Sequence, residues 1–148
     1  MSSLTGLTRL TSLDLSGCYQ VGDLAPLAEL TQLTLLNLAY CGQVRDLRPL
    51  AGLTRLRKLN LSSFSPSEDH PSPRAWHPPL ISFSQISDLT PLSELAQLTS
   101  LDLSGCSQIS DLSPLAGLAQ LTSLDLSGCS QISDLRSLSG LTHLTIRW

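Results

Sequence analysis

The sequence predicts an α/β solenoid in which short parallel strands stack into one sheet and 3₁₀ or short helical turns line the opposite side. Two observations carry this. Leucines at Leu10, Leu33 and Leu56 stand 23 residues apart, as do those at Leu98, Leu121 and Leu144. Around each of them the same order recurs, L-x-x-L-x-L-x-x-C-x-Q-I/V-x-D-L-x-P-L-x-x-L-x-x. Self-similarity at a fixed period of this length is the signature of a repeat architecture, in which each unit buries its apolar face against its neighbours.

Each half of the repeat has its own periodicity. In residues 98–104, Leu101 and Leu103 alternate with Ser100, Asp102 and Ser104. An alternation of period two predicts a short strand with the leucines inward and the polar residues outward. The second half places Ile109, Leu112, Leu115 and Leu118 three apart, a spacing suited to a 3₁₀ turn, whose i and i+3 side chains eclipse. Asp23, Asp46, Asp88, Asp111 and Asp134 share one slot before that turn and read as N-caps, their carboxylates accepting backbone N–H groups. Pro26, Pro49, Pro91 and Pro114 follow three residues later, inside the first turn, where a missing N–H costs little.

The repeats fall at about 10–32, 33–55, 56–97, 98–120 and 121–143, within a single domain over 1–148. Only the third is irregular: Leu56 to Leu98 spans 42 residues, one repeat plus 19. The excess lies at 64–83, FSPSEDHPSPRAWHPPLISF, whose prolines and mixed polar residues do not fit a packed repeat. Three readings of this insert stand: a tolerated surface loop, a segment foreign to the native protein, or a recognition loop with Trp76 as aromatic anchor. Either Phe64 or Phe83 takes the cysteine slot, and the frame resumes at Ser84. At the start, Leu4 and Leu7 match the last leucines of a repeat. At the end, LTHLTIRW puts Arg147 where the frame asks for an inward leucine, so the chain reads as stopping where a strand should begin. With no polar cap at either end, it reads as a piece of a longer array.

Composition narrows the function. Aromatic residues make up 4% of the chain against 41% apolar, so the core is aliphatic. The net charge of −3 argues against a nucleic-acid partner. There is no run of 18 apolar residues for a membrane span and no leader with a basic then apolar segment. Cys18, Cys41, Cys106 and Cys129 occupy one slot and read as buried thiols at the bend after the strand, with Cys18–Cys41 and Cys106–Cys129 disulfides as the alternative. Reduced cysteines and the missing leader favour the cytoplasm. No metal or cofactor site is expected, because no C-x-x-C or histidine partner accompanies the thiols. Nothing catalytic is expected either: no nucleophile elbow or phosphate-cradling loop occurs, and every Ser, Asp and Cys that might be recruited is already explained by the repeat frame.

These motifs resemble the leucine-rich-repeat family over everything except the insert and the last few residues. The I-S-D-L-S-P-L-A-G-L half is similar to internalin-type repeats, and the cysteine is similar to that of the cysteine-containing class. The resemblance implies a curved leucine-rich-repeat solenoid with a concave parallel β-sheet that recognises a protein partner. The expected outward column on that face is Asp14, Asn37, Asn60, Asp102 and Asp125. The departures from the frame are sharper candidates for a partner surface: Leu35 for serine, Tyr40 for glycine, and the cations Arg57 and Lys58, with Arg55, Arg45 and Arg48 nearby. The function expected is a non-catalytic binding scaffold. The alternative is a regulatory or spacer segment of a larger enzyme or surface protein.

Overall fold

A computed structural model describes residues 6–63 and 84–148. Its strands are β1 (Ser12–Asp14), β2 (Leu35–Asn37), β3 (Lys58–Asn60), β4 (Ser100–Asp102), β5 (Ser123–Asp125) and β6 (Thr145–Arg147), and they form one parallel sheet in chain order. Register follows the repeat. Leu13, Leu36, Leu59, Leu101 and Leu124 stand side by side, and the β3–β4 pairing crosses the irregular third repeat with Leu59 opposite Leu101. Parallel strands need a crossover connection, and here the described part of each connection holds a bend, a 3₁₀ segment and a return.

Those 3₁₀ segments span Ala25–Leu27, Arg48–Leu50, Thr90–Glu94, Ser113–Leu115 and Arg136–Leu138. The first four carry proline in the first turn, and the fifth forms with Ser137 in its place. Proline therefore favours this turn without being required for it. The aspartates act one residue earlier than an N-cap. The cap position is the following leucine, while Asp23, Asp46, Asp88, Asp111 and Asp134 each use Oδ1 to accept the N–H two residues on, at 2.8–2.9 Å. This is an Asx turn, and it satisfies the first N–H of the 3₁₀ segment.

Among the described residues the buried apolar side chains are leucine, isoleucine, valine, alanine and cysteine, without an aromatic. The three-apart positions expected on the far side are all in this core: Ile109, Leu112, Leu115 and Leu118 are at most 2% exposed. Burying one leucine contributes about 1.5–3 kcal/mol before the chain entropy that opposes it. A second set of bonds runs between repeats. Thr34 and Thr122 donate their hydroxyls to the carbonyls of Thr11 and Thr99, and Thr99 donates to Arg57, all at 3.0–3.1 Å.

Three further expectations need correction. The last repeat is one residue short, so Thr145, Ile146 and Arg147 pair with Ser123, Leu124 and Asp125. Arg147 is thus outward and Ile146 inward, and a strand forms where none was expected. A one-residue slip exchanges the two faces of a strand, and burying isoleucine instead of arginine selects the slipped register. The position two after the Asp/Asn column, expected outward as at Ser104, is also partly wrong, because its counterparts Ala39 and Ser62 are buried. β2 and β3 end at Asn37 and Asn60, and the chain has already bent two residues on. Finally, Leu35 is half-buried rather than fully exposed. Phe64, Phe83, Trp76 and the rest of the 64–83 insert lie outside the described residues, as does Leu4.

Candidate functional site

The sheet face is built from two outward columns in register. One runs Ser12, Leu35, Lys58, Ser100, Ser123 and Thr145, and the other runs Asp14, Asn37, Asn60, Asp102, Asp125 and Arg147. All five residues expected in the Asp/Asn column are therefore brought together. Their side chains are partly engaged by the fold. Asp14, Asn37, Asn60, Asp102 and Asp125 each accept, through Oδ1, the N–H two residues on at 2.8–3.0 Å. This Asx turn ends the strand and explains why the first five strands hold Asp or Asn there. Asn37 Nδ2 donates to Asp14 Oδ2 at 3.2 Å, and Arg147 Nε stands 3.8 Å from Asp125 Oδ2. The Ser16 hydroxyl and N–H hold the Asp14 carboxyl below the usual carboxylate range. What the column offers a ligand is its second oxygens and amides.

At the bend after the strand, Gly17, Gly105 and Gly128 have φ between 72° and 76°. Tyr40 stands in the same slot with φ 61°. A side chain in the left-handed region costs about 1–2 kcal/mol relative to glycine. Tyr40 is 44% exposed, and Tyr19, one repeat earlier and two slots on, is 60% exposed. Tyr19 is a site candidate that the sequence reading passed over. The signal was present, since the same slot holds Gly42, Ser107 and Ser130.

The cysteine row is structural. All four thiols are free. Cys41, Cys106 and Cys129 are buried, and each donates its Sγ–H to a carbonyl of the preceding repeat (Leu15, Leu61 and Leu103) at 3.1–3.3 Å. Burial pushes these thiols up to about 11, 12 and 11 respectively, the reverse of what a reactive thiol needs. Cys18, in the first repeat, is exposed.

On the 3₁₀ side, Arg48 and Arg136 each fold back onto the aspartate two residues before, at 2.7 Å. The side-chain bond from Arg48 lowers Asp46 to about 2, and that from Arg136 lowers Asp134. The cations of the third repeat behave differently. Arg55, Arg57 and Lys58 are exposed, and among the described residues none of them forms an ion pair. Arg55 meets the Gln32 side chain, its counterpart one repeat earlier. No group of three or more His, Cys, Asp or Glu gathers as a metal site among the described residues, and none of their helices is long and apolar enough to cross a membrane.

A family model described as leucine-rich repeats (2 copies) matches residues 80–117. The chain is a leucine-rich-repeat protein. It is similar to the crystal structure of internalin C2 from Listeria monocytogenes at 34% identity and TM-score 0.70, covering 99% of this chain and 55% of that one. It is also similar to an internalin, inlF, of the same organism at 34% identity and TM-score 0.62, covering 99% of this chain and 43% of that one. This leucine-rich-repeat chain thus spans about half the length of the solved structures it matches. No significant match exists among curated protein sequences.

Proposed function

We propose that this leucine-rich-repeat chain is a non-catalytic scaffold that holds a protein partner on its concave sheet face, as a section of a longer array. The observation that carries this is where the repeats stop agreeing. Residues 98–112 and 121–135 are identical, yet the second and third repeats place Leu35, Tyr40, Arg57 and Lys58 at positions that serine, glycine and threonine fill elsewhere. None of these four improves the core, and Tyr40 adds backbone strain. Exposed or half-buried departures that the fold does not reward are best accounted for by something outside the chain. Asp14, Asn37, Asn60, Asp102 and Asp125 supply a polar floor beside them. The partial coverage of both internalin structures supports the longer array.

Steric blocking tests the face. Ser100→Trp with Ser123→Trp covers the sheet side, while Ala116→Trp with Ala119→Trp covers exposed positions on the return side. Partner capture should be lost with the first pair and kept with the second. Loss only with the second pair moves the binding surface off the sheet.

A further inference from the structure

We infer that the entry to β3, formed by Arg55, Arg57 and Lys58 with Leu35 beside them, docks a short extended acidic segment of a protein that carries an aliphatic side chain. This deepens the scaffold reading above and rests on it.

The repeats provide an internal control. The slot of Arg55 holds Arg9, Gln32, Gln97, Gln120 and His143 elsewhere, that of Arg57 holds Thr11, Thr34, Thr99 and Thr122, and that of Lys58 holds Ser12, Leu35, Ser100 and Ser123. The slots of Arg57 and Lys58 therefore turn cationic in the third repeat only, and only there are all three neighbouring exposed slots cationic. The change at Arg57 also forfeits a bond. Thr34, Thr99 and Thr122 each donate a hydroxyl to the carbonyl of the repeat before, and an arginine at that slot supplies no such hydroxyl.

On the 3₁₀ side two exposed arginines are neutralised. Arg48 pairs with Asp46 and Arg136 with Asp134. Arg55, Arg57 and Lys58 have no carboxylate within ion-pair distance among the described residues, although the chain as a whole carries −3. Leu35 is the cross-strand neighbour of Lys58, about 4.8 Å away across the ladder. An occupant that satisfies both brings carboxylates and an aliphatic side chain within a few residues of each other. A nucleic acid fits less well, because Asp14, Asp102 and Asp125 lie on the same sheet face and repel a run of phosphates.

The test uses a fluorescein-labelled peptide of alternating glutamate and leucine, followed by anisotropy. Wild type should bind it, and raising salt from about 0.05 to about 0.5 M should release it. The variant R55Q/R57T/K58S adopts the other repeats' residues, so it should melt no lower than wild type while binding about tenfold or more weakly. The charge-keeping variant R55K/R57K should bind as wild type does. No binding by wild type, equal binding by R55Q/R57T/K58S, loss with R55K/R57K, or equal binding of a lysine–leucine peptide would overturn the acidic-segment site. Tighter binding of an oligothymidylate of equal charge would also overturn it, in favour of nucleic acid. The scaffold reading fails separately: partner capture that survives both the tryptophan pair on the sheet face and R55Q/R57T/K58S removes both proposals. Capture that is lost only with the tryptophan pair removes the acidic site alone.

Discussion

Residues 10–18 and 98–106 have the same sequence, LTSLDLSGC, and different surroundings. In the interior copy Leu101, Leu103 and Cys106 are at most 1% exposed, whereas in the outer copy Leu13 and Leu15 are half-buried and Cys18 is exposed. β4 has a strand on each side, and β1 pairs on one side only among the described residues. The thiol of Cys106 reaches a carbonyl in the repeat before it, and a described repeat of that kind is absent beneath Cys18. A repeat's contribution to stability is therefore mostly set by its neighbours, as expected for a quasi-one-dimensional stack.

The largest expected break in this comparison is in the core. Leu103→Ala should cost about 2–5 kcal/mol, as for other fully buried leucines, and Leu15→Ala about half as much. Urea unfolding of the two variants measures this, and equal losses would mean that the outer repeat is as tightly packed as the inner.

Thiol chemistry sharpens it next. With an aromatic disulfide reagent near neutral pH, Cys18 should react in the folded chain, while Cys41, Cys106 and Cys129 should wait for denaturant. Rapid labelling of all four without denaturant would show that the interior repeats open as readily as the first.

Tyr40→Gly should raise stability by about 1 kcal/mol, since it relieves a positive φ, although the tyrosine's own contacts offset part of the gain. The same variant should weaken partner capture. A gain in stability with capture unchanged would leave Tyr40 outside the binding surface.

The smallest effects are with pH. Asp14, Asp46, Asp88, Asp111 and Asp134 sit below the usual carboxylate range because serine, arginine or threonine side chains and backbone N–H groups bond their charged forms. Their stabilisation is present above about pH 4 and is lost as pH falls through the folded values, about 2 for Asp46. Cys41, Cys106 and Cys129 act in the opposite range. Their stabilisation is complete below about pH 9 and is lost as pH rises through 11 to 12. Thermal melts across pH should show a plateau between the two limbs, and an acid limb unchanged in D46N/D134N would remove these aspartates as its source.

Most of the fold was legible because one physical rule repeats. Alternating leucines specify a strand and leucines three apart specify a 3₁₀ turn, so the order Leu101–Asp102–Leu103 and the spacing Ile109–Leu112–Leu115–Leu118 place themselves. The proposed site was legible only as departures from that rule, at Leu35, Tyr40, Arg57 and Lys58. Tyr19 escaped because its slot tolerates glycine and serine alike. The sequence by itself determined the period, the inward leucines and the cysteine and aspartate slots, since these depend on local geometry and burial. Tertiary structure decided what depends on neighbouring repeats. It turned Arg147 outward to let Ile146 into the core, directed the Asp14–Asp125 column onto its own backbone, and left Arg55, Arg57 and Lys58 without a carboxylate among the described residues. Which groups meet across stacked repeats is set by register and not by any one repeat's residues.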